Sequence, residues 1–295
     1  MKSSPKNIIV TAANESYAAL VLDLMHSIEP HRAALDIAFA CLDIGLSAET
    51  ILQLENLGVE IRKPEWPFRP HPKFQTDRKF LARAVRPVLR DLYPGYTCYI
   101  WLDADAWIQH PVGIHWLVQA VKWSDIAAVP TIHRSYEFKP IDIQWVRKRY
   151  EMAFGTEVAE KLSAQPYINS GVFSMPAGST IWEKFFARFQ EALDRWEGDF
   201  LSDQAVLNAV VQLDRPRYER LPAKVNWICH LARPRWDQTK RMLVEPSMPF
   251  ETISIIHNTY NDKAKNVEIA SLLGKQHFSA LTFSGIKHLR LASAP

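Results

Sequence analysis

The chain has 295 residues, 47% hydrophobic and 23% charged, with a formal net charge of +3. That length buries a substantial core, that composition excludes a disordered chain, and that near-neutral balance excludes a dedicated nucleic-acid binder. Its three cysteines sit among apolar neighbours without a CxxC spacing, which argues against a disulfide framework and a zinc–thiolate site and for a reducing, cytoplasmic compartment. The N-terminal apolar stretch is too short for a signal peptide, and no run approaches the roughly 18 to 20 apolar residues of a membrane span.

Asn7 to Ala13 (NIIVTAA) predicts a first strand, and Leu20, Leu24 and Ile28 follow with helical spacing. Leu35 to Leu42 predicts a second strand. Ser47 opens a helix (SAETILQLENLG) with a capping serine, a first-turn glutamate and a terminal glycine. Val59 to Ile61 is a short strand. This alternation predicts an α/β fold, a doubly wound and mostly parallel sheet flanked by helices. The proline-rich stretch Pro64 to Pro72 is a loop, and Leu81 to Leu92 is a helix bent at Pro87. A strand then ends at Asp103. Further strands are predicted at Ser124 to Val129 and Ile168 to Met175. Ile181 to Trp196 is an amphipathic helix with Trp182, Phe185, Phe186, Phe189 and Leu193 on its core face. Without repeats or linkers, residues 1–265 are expected as one domain, with 266–295 a helical, basic-amphipathic tail.

Residues 97–110 read TCYIWLDADAWIQH. Asp103 and Asp105 stand in an apolar run where an unpaired carboxylate would be costly. On an extended strand, positions i and i+2 share a face. The two acids can thus reach one ion at the carboxyl end of a strand, where open α/β sheets bind ligands. Mg²⁺ and Mn²⁺ prefer carboxylate oxygens and share their sites with phosphates. A D-x-D triplet alone is common, and it equally describes two solvated acids at a strand end.

Other stretches join it in order: TAANESY (Thr11–Tyr17), FLARAV (Phe80–Val85), WLDAD (Trp101–Asp105), YINSGVFSM (Tyr167–Met175), SDQAVLN (Ser202–Asn208), LPAKVNW (Leu221–Trp227) and SIIHNTYNDK (Ser254–Lys263). The set spans residues 7 to about 263 and resembles GT-A glycosyltransferases. Within them it resembles retaining glycosyltransferase family 8, the glycogenin and lipopolysaccharide galactosyltransferase type. The resemblance implies a single Rossmann-like GT-A domain that takes a UDP-sugar donor and Mn²⁺ or Mg²⁺. By the same resemblance, Ala12, Asn14 and Tyr17 hold the uracil, and Arg83 faces the donor sugar and phosphates. Asp103 and Asp105, flanking Ala104, hold the metal with His257, and Lys263 grips a phosphate. Asn169 and Asp203 bond the donor sugar, and Gln204 lies beneath the anomeric carbon. An amide at that position is a poor nucleophile, so same-face attack is expected, with Asp203 the alternative nucleophile.

Some positions depart from the family. Tyr260 replaces a glycine, Lys263-Ala264-Lys265 replaces Lys-Pro-Trp, Ala205 replaces an acid, and Pro130-Thr131 stands where an acid often follows the strand. These leave donor sugar and acceptor open, the acceptor being a glycan, a lipid-linked compound or another hydroxyl. Trp66 to His71, and the segment with His133, Arg134 and Tyr136, are candidate sugar-facing rims or ordinary packing. The tail mixes Phe278, Leu281, Phe283, Ile286 and Leu289 with Lys287, His288 and Arg290, which suits peripheral contact with an inner membrane or a helix docked on the core. Two other readings are a non-catalytic GT-A-like binding protein and a haloacid-dehalogenase phosphatase. The latter usually has its D-x-D on the first strand and Thr or Val where Trp107 stands.

Overall fold

Along the first strand, Ile8 and Val10 are buried on one face of the sheet and Ile9 and Ala13 on the other. A strand buried on both faces belongs inside a layered α/β domain. In this computed structural model, residues 6–195 and 201–292 are described.

The N-terminal half runs β1 (Asn7–Ala13), α1 (Ala18–Ile28), α2 (Arg32–Leu35), β2 (Ile37–Asp43), α3 (Ala48–Asn56), β3 (Glu60–Arg62), α4 (Arg78–Ala84), α5 (Leu89–Leu92) and β4 (Cys98–Leu102). Ser47 caps α3 as expected, accepting from the Thr50 amide. Around Pro87 the expected bent helix is interrupted: a 3₁₀ turn at Arg86–Val88 separates α4 from α5, because proline removes the donor that a continuous helix needs. The chain continues through β5 (Ala106–Ile108), α6 (Val112–Ala120), β6 (Ile126–Pro130), α7 (Pro140–Phe154), α8 (Thr156–Ser163), β7 (Ile168–Pro176), α9 (Ile181–Arg195), α10 (Asp203–Leu213) and β8 (Tyr218–Arg220). It closes with β9 (Trp227–Ile228), β10 (Arg235–Asp237), β11 (Met242–Val244), β12 (Ile255–His257), β13 (Val267–Ala270), β14 (Gln276–Ser279) and α11 (Lys287–Ala292).

Seven strands form the main sheet in the order β3-β2-β1-β4-β7-β6-β8. Its pairs are parallel except β4–β7 and β6–β7, so β7 alone runs against its neighbours. The mostly parallel sheet read from the sequence is therefore present. One face packs α9 through Trp182, Phe185 and Phe189, and the other packs α1 and α6 through Val21, Leu24 and Ile114. The expected helix end at Trp196 lies outside the described residues.

A second sheet, β5-β12-β9, stands beside the carboxyl end of β4. Below it Trp107, Trp227, Trp236 and Ile256 form a separate core. The C-terminal segment expected as a helical tail is a β13–β14 hairpin followed by one short helix. Its Leu281, Ile286 and Leu289 are buried in that third core, which leaves those three side chains unavailable to a membrane. Among the described residues no helix is long and apolar enough to cross one.

Candidate active site

Asp103 and Asp105 do not lie on one extended strand. They follow β4 in a tight turn, closed by the Ala106 amide donating to Asp103 O at 2.9 Å. The two acids therefore converge through a turn and not through the shared face of a strand. The Asp103 amide donates to Gly171 O at 2.8 Å, which extends the β4–β7 ladder and ties the turn to the start of β7. His257 arrives from β12, which pairs with β5 so that His257 lies opposite Ala106.

The ligand atoms of Asp103, Asp105 and His257 all lie within 4.8 Å of one another. Each carboxylate has one oxygen engaged and the other turned towards the ring. Asp103 Oδ1 accepts from Arg86 Nη2 and Trp101 Nε1, both at 2.7 Å, while Oδ2 is 3.7 Å from His257 Nε2. Asp105 Oδ2 lies 2.5 Å from Lys263 Nζ, and its Oδ1 lies 3.2 Å from His257 Nε2. His257 Nδ1 donates to Asn226 Oδ1 at 2.9 Å, which turns Nε2 towards the two acids. Burial would push the Asp105 carboxyl up, but His257 and Lys263 together hold it below the usual carboxylate range. Two carboxylate oxygens and one imidazole nitrogen, so arranged, fit a divalent cation.

Glycine at 171 makes this convergence possible. A Cβ there would lie 2.3 Å from His257 Cε1 and 2.7 Å from Asp103 Oδ2.

Beside the triad opens a cleft of about 310 Å³, lined among others by Ala12, Asn14, Tyr17, Arg83, Asp103, Ala104 and Asp105. The sequence places all seven at the donor, from three separate stretches, with Asp103 and Asp105 as metal ligands too; the fold gathers them along one cleft. Tyr17 follows β1 with its ring partly exposed, and burial raises its phenol above the usual range. Asn14 Oδ1 accepts from Ser16 Oγ at 2.7 Å.

Asn169, at the start of β7, accepts at Oδ1 from Asn226 Nδ2 at 3.0 Å and from the Gly171 amide at 2.9 Å. Gln204 Oε1 accepts from the Ser170 amide at 3.0 Å. Asp203, in the first turn of α10, is buried and accepts from Arg86 Nη1 at 2.6 Å and Ser170 Oγ at 2.8 Å. Arg83 Nε is 3.9 Å from the other oxygen of Asp203. Lys263, expected on a phosphate, has its ammonium on Asp105 and donates to Asn258 O at 2.7 Å.

Sequence reasoning missed three contributors. Arg86 bridges Asp103 and Asp203 with its guanidinium stacked 4.6 Å over the Trp101 ring. Its spacing of three from Arg83 on a helical stretch was the available signal. Gly171 was signalled by a glycine inside a strand, which marks a close approach. Asn226 belonged to a quoted stretch but had no role. In both candidate rim segments some aromatic side chains pack inward: Phe68 is buried and stacked on Phe189 at 4.8 Å, and His133 and Tyr136 pack on Trp227, while Arg69 and Arg134 stand exposed. His133 and Arg134 pair with Glu245.

No protein-family model matches the chain, and no curated protein matches it. Solved structures do. The galactosyltransferase LgtC, in complex with donor and acceptor sugar analogs, is similar with a TM-score of 0.52 at 15% identity, over 86% of this chain and 87% of that one. An active-site glutamine-to-glutamate mutant of LgtC gives 0.52 at 16%, over 88% of each. The bifunctional glycosyltransferase WbbM gives 0.58 at 17%, over 88% of this chain and 47% of that one. At these identities the likeness establishes the fold, which is the GT-A fold that the sequence implied.

Proposed function

We propose that this chain is a metal-dependent, retaining glycosyltransferase that moves a hexosyl group from a nucleotide sugar to a hydroxyl acceptor. The observation that carries the reading is the Asp103–Asp105–His257 cluster at the mouth of a cleft that also holds Asn14, Tyr17 and Arg83. A nucleoside diphosphate fits such a cleft with its base beside Tyr17 and its phosphates towards the acids. The preference for uridine rests on the resemblance through Asn14 and Tyr17. When bound, Mn²⁺ or Mg²⁺ would neutralise charge on the diphosphate. Arg83 supplies a fixed positive charge on the same side, and Lys263 can reach the phosphates by leaving Asp105.

In the reaction, the bond from the anomeric carbon to the donor phosphate breaks and one to the acceptor oxygen forms. Asp203 is a poor candidate for a covalent nucleophile, because Arg86 and Ser170 already hold its carboxylate. Gln204 is an amide. Both features support same-face attack, in which the departing phosphate oxygen takes the acceptor's proton. Asn169 and Asp203 orient the donor sugar. The phosphatase alternative calls for the acid pair after the first strand, whereas here it follows β4.

Calorimetric titration of UDP, GDP and CMP with and without Mn²⁺, on the wild type and Asp105→Asn, tests the reading. Mn²⁺-dependent UDP binding that disappears in the variant is expected, together with slow UDP-sugar hydrolysis. Absence of nucleotide binding under every condition overturns it. UDP binding without turnover on any UDP-sugar supports the non-catalytic alternative.

A further inference from the structure

Ile132, Phe138, Ile141, Ile143 and Trp145 are five of the twelve large hydrophobic side chains that stand exposed among the described residues. They fall in one short segment, at the start of α7 and just before it. Only Tyr150, Ala153 and Phe154 of α7 are buried, so the first turns of this helix stand clear of the core. Ile141 and Trp145, four apart, share one face of α7 and with Phe138 line one pocket; exposed apolar surface gathered in this way marks a binding groove.

The groove is continuous with the active site. A pocket of about 510 Å³ is lined by Phe138, Ile141 and Trp145 together with Asn169 and Gln204. Asn169 and Gln204 belong to the donor-sugar side of the site described above. A molecule in this pocket therefore has one end at the reacting centre and the other on apolar side chains. Within residues 132–149, five basic side chains stand against two acidic ones, Glu137 and Asp142. That excess disfavours a second copy of the same face as the occupant, because like charges would meet.

We propose that this pocket holds the acceptor and that the acceptor is an amphiphile. Its hydroxyl-bearing head sits between Asn169 and Gln204, and its apolar aglycone lies along Phe138, Ile141 and Trp145. The proposal rests on the glycosyltransferase reading and names the acceptor class that reading leaves open. The head's hydroxyl oxygen forms the new bond to the anomeric carbon, and its proton passes to the departing phosphate. The basic run Arg147 to Arg149, with Arg149 stacked 4.8 Å over Trp145, suits an anionic link between head and chain.

The test uses methyl and octyl β-galactosides and β-glucosides, below the micelle concentration of the octyl forms, titrated by calorimetry into the full chain with UDP and Mn²⁺ present. Each buried methylene strengthens binding about fourfold. The octyl form of at least one sugar is expected to bind at least tenfold more tightly than its methyl form. Ile141→Asn and Trp145→Ala are expected to remove that difference while UDP binding persists; both side chains are exposed, so the fold does not depend on them. Phe278→Ser alters an exposed apolar residue elsewhere and is expected to leave the ratio unchanged. An octyl-to-methyl ratio below tenfold for both sugars overturns the proposal. So does an equal loss in Phe278→Ser, which means unspecific detergent binding. Sedimentation with glycolipid-free anionic vesicles that depends on Trp145, with no octyl preference, also overturns it and makes the face a membrane-docking surface. Failure of UDP to bind defeats the donor reading instead, and the octyl-to-methyl ratio is then read without nucleotide.

Discussion

Asn226 Oδ1 lies 2.9 Å from Nδ1 of His257, and the same side chain donates to Asn169 Oδ1 at 3.0 Å. One amide thus sets the tautomer of a candidate metal ligand and the orientation of a candidate sugar-binding residue. Partners of this kind typically change metal affinity by about 10- to 100-fold when removed. Asn226→Ala is expected to weaken Mn²⁺ binding by that factor, measured as free Mn²⁺ by electron paramagnetic resonance. Asn226→Asp keeps an acceptor for Nδ1 and is expected to restore most of the affinity. Equal losses in both variants would assign Asn226 a packing role only.

Gly171 makes a second test of the same convergence. A methyl group there meets His257 Cε1 at 2.3 Å and Asp103 Oδ2 at 2.7 Å, and the His257 ring is buried, so one or both ligands must shift. Displacements of about 1 Å in a site can cost about a hundredfold in rate, and overpacking costs about 1–3 kcal/mol in stability. Gly171→Ala is expected to lose Mn²⁺ affinity and turnover together while the chain still folds. Unchanged Mn²⁺ affinity would show that the ligands do not converge as described.

How much of this was legible in the sequence depended on where pattern and packing agree. The N-terminal half of the sheet was readable because β1, β2 and β4 are buried runs bounded by clear helix signals. The segment around α7 was not. Its exposed Ile141, Ile143 and Trp145 spoil the polar face by which a surface helix is recognised. The short pairs β10–β11 and β13–β14 are three or four residues long, too short for alternation to show. In the site, Asp103 and Asp105 are legible in one stretch and His257 in another, but the residue that joins two halves of the site is not. Arg86 sits beside a proline where helical phase breaks, so the sequence argument stopped at Arg83, one turn earlier.

Arg86 carries the largest predicted effect on stability. Its guanidinium is buried and bridges Asp103 and Asp203, whose side chains are 26% and 8% exposed. Removing one partner of a buried ion pair typically costs about 3–5 kcal/mol, because the charge left behind has no compensation. Arg86→Met is expected to lower stability by about that amount in urea denaturation. Arg86→Lys is expected to recover little, since one ammonium cannot hold two carboxylates in the fork geometry. In Arg86→Met combined with Asp203→Asn, part of the loss is expected to return. Strict additivity of the two substitutions would mean that the pair does not interact.

The three cysteines provide a check on burial that is independent of catalysis. Cys41, Cys98 and Cys229 are free and buried. Burial pushes the Cys41 and Cys98 thiols up to about 12 and raises Cys229 as well. The thiolate is the reactive form, so at pH 8 only about one part in ten thousand of Cys41 or Cys98 is reactive, before access is considered. The folded protein is expected to give no thiol colour with Ellman's reagent over minutes at pH 8. Guanidinium unfolding is expected to release three thiols. Because these pKa values are raised in the fold, raising the pH from 8 to 9 should increase the native reaction only through the thiolate fraction, about tenfold. Rapid stoichiometric reaction of one thiol in the native protein would place that cysteine at an accessible, electropositive position and contradict its place in the core.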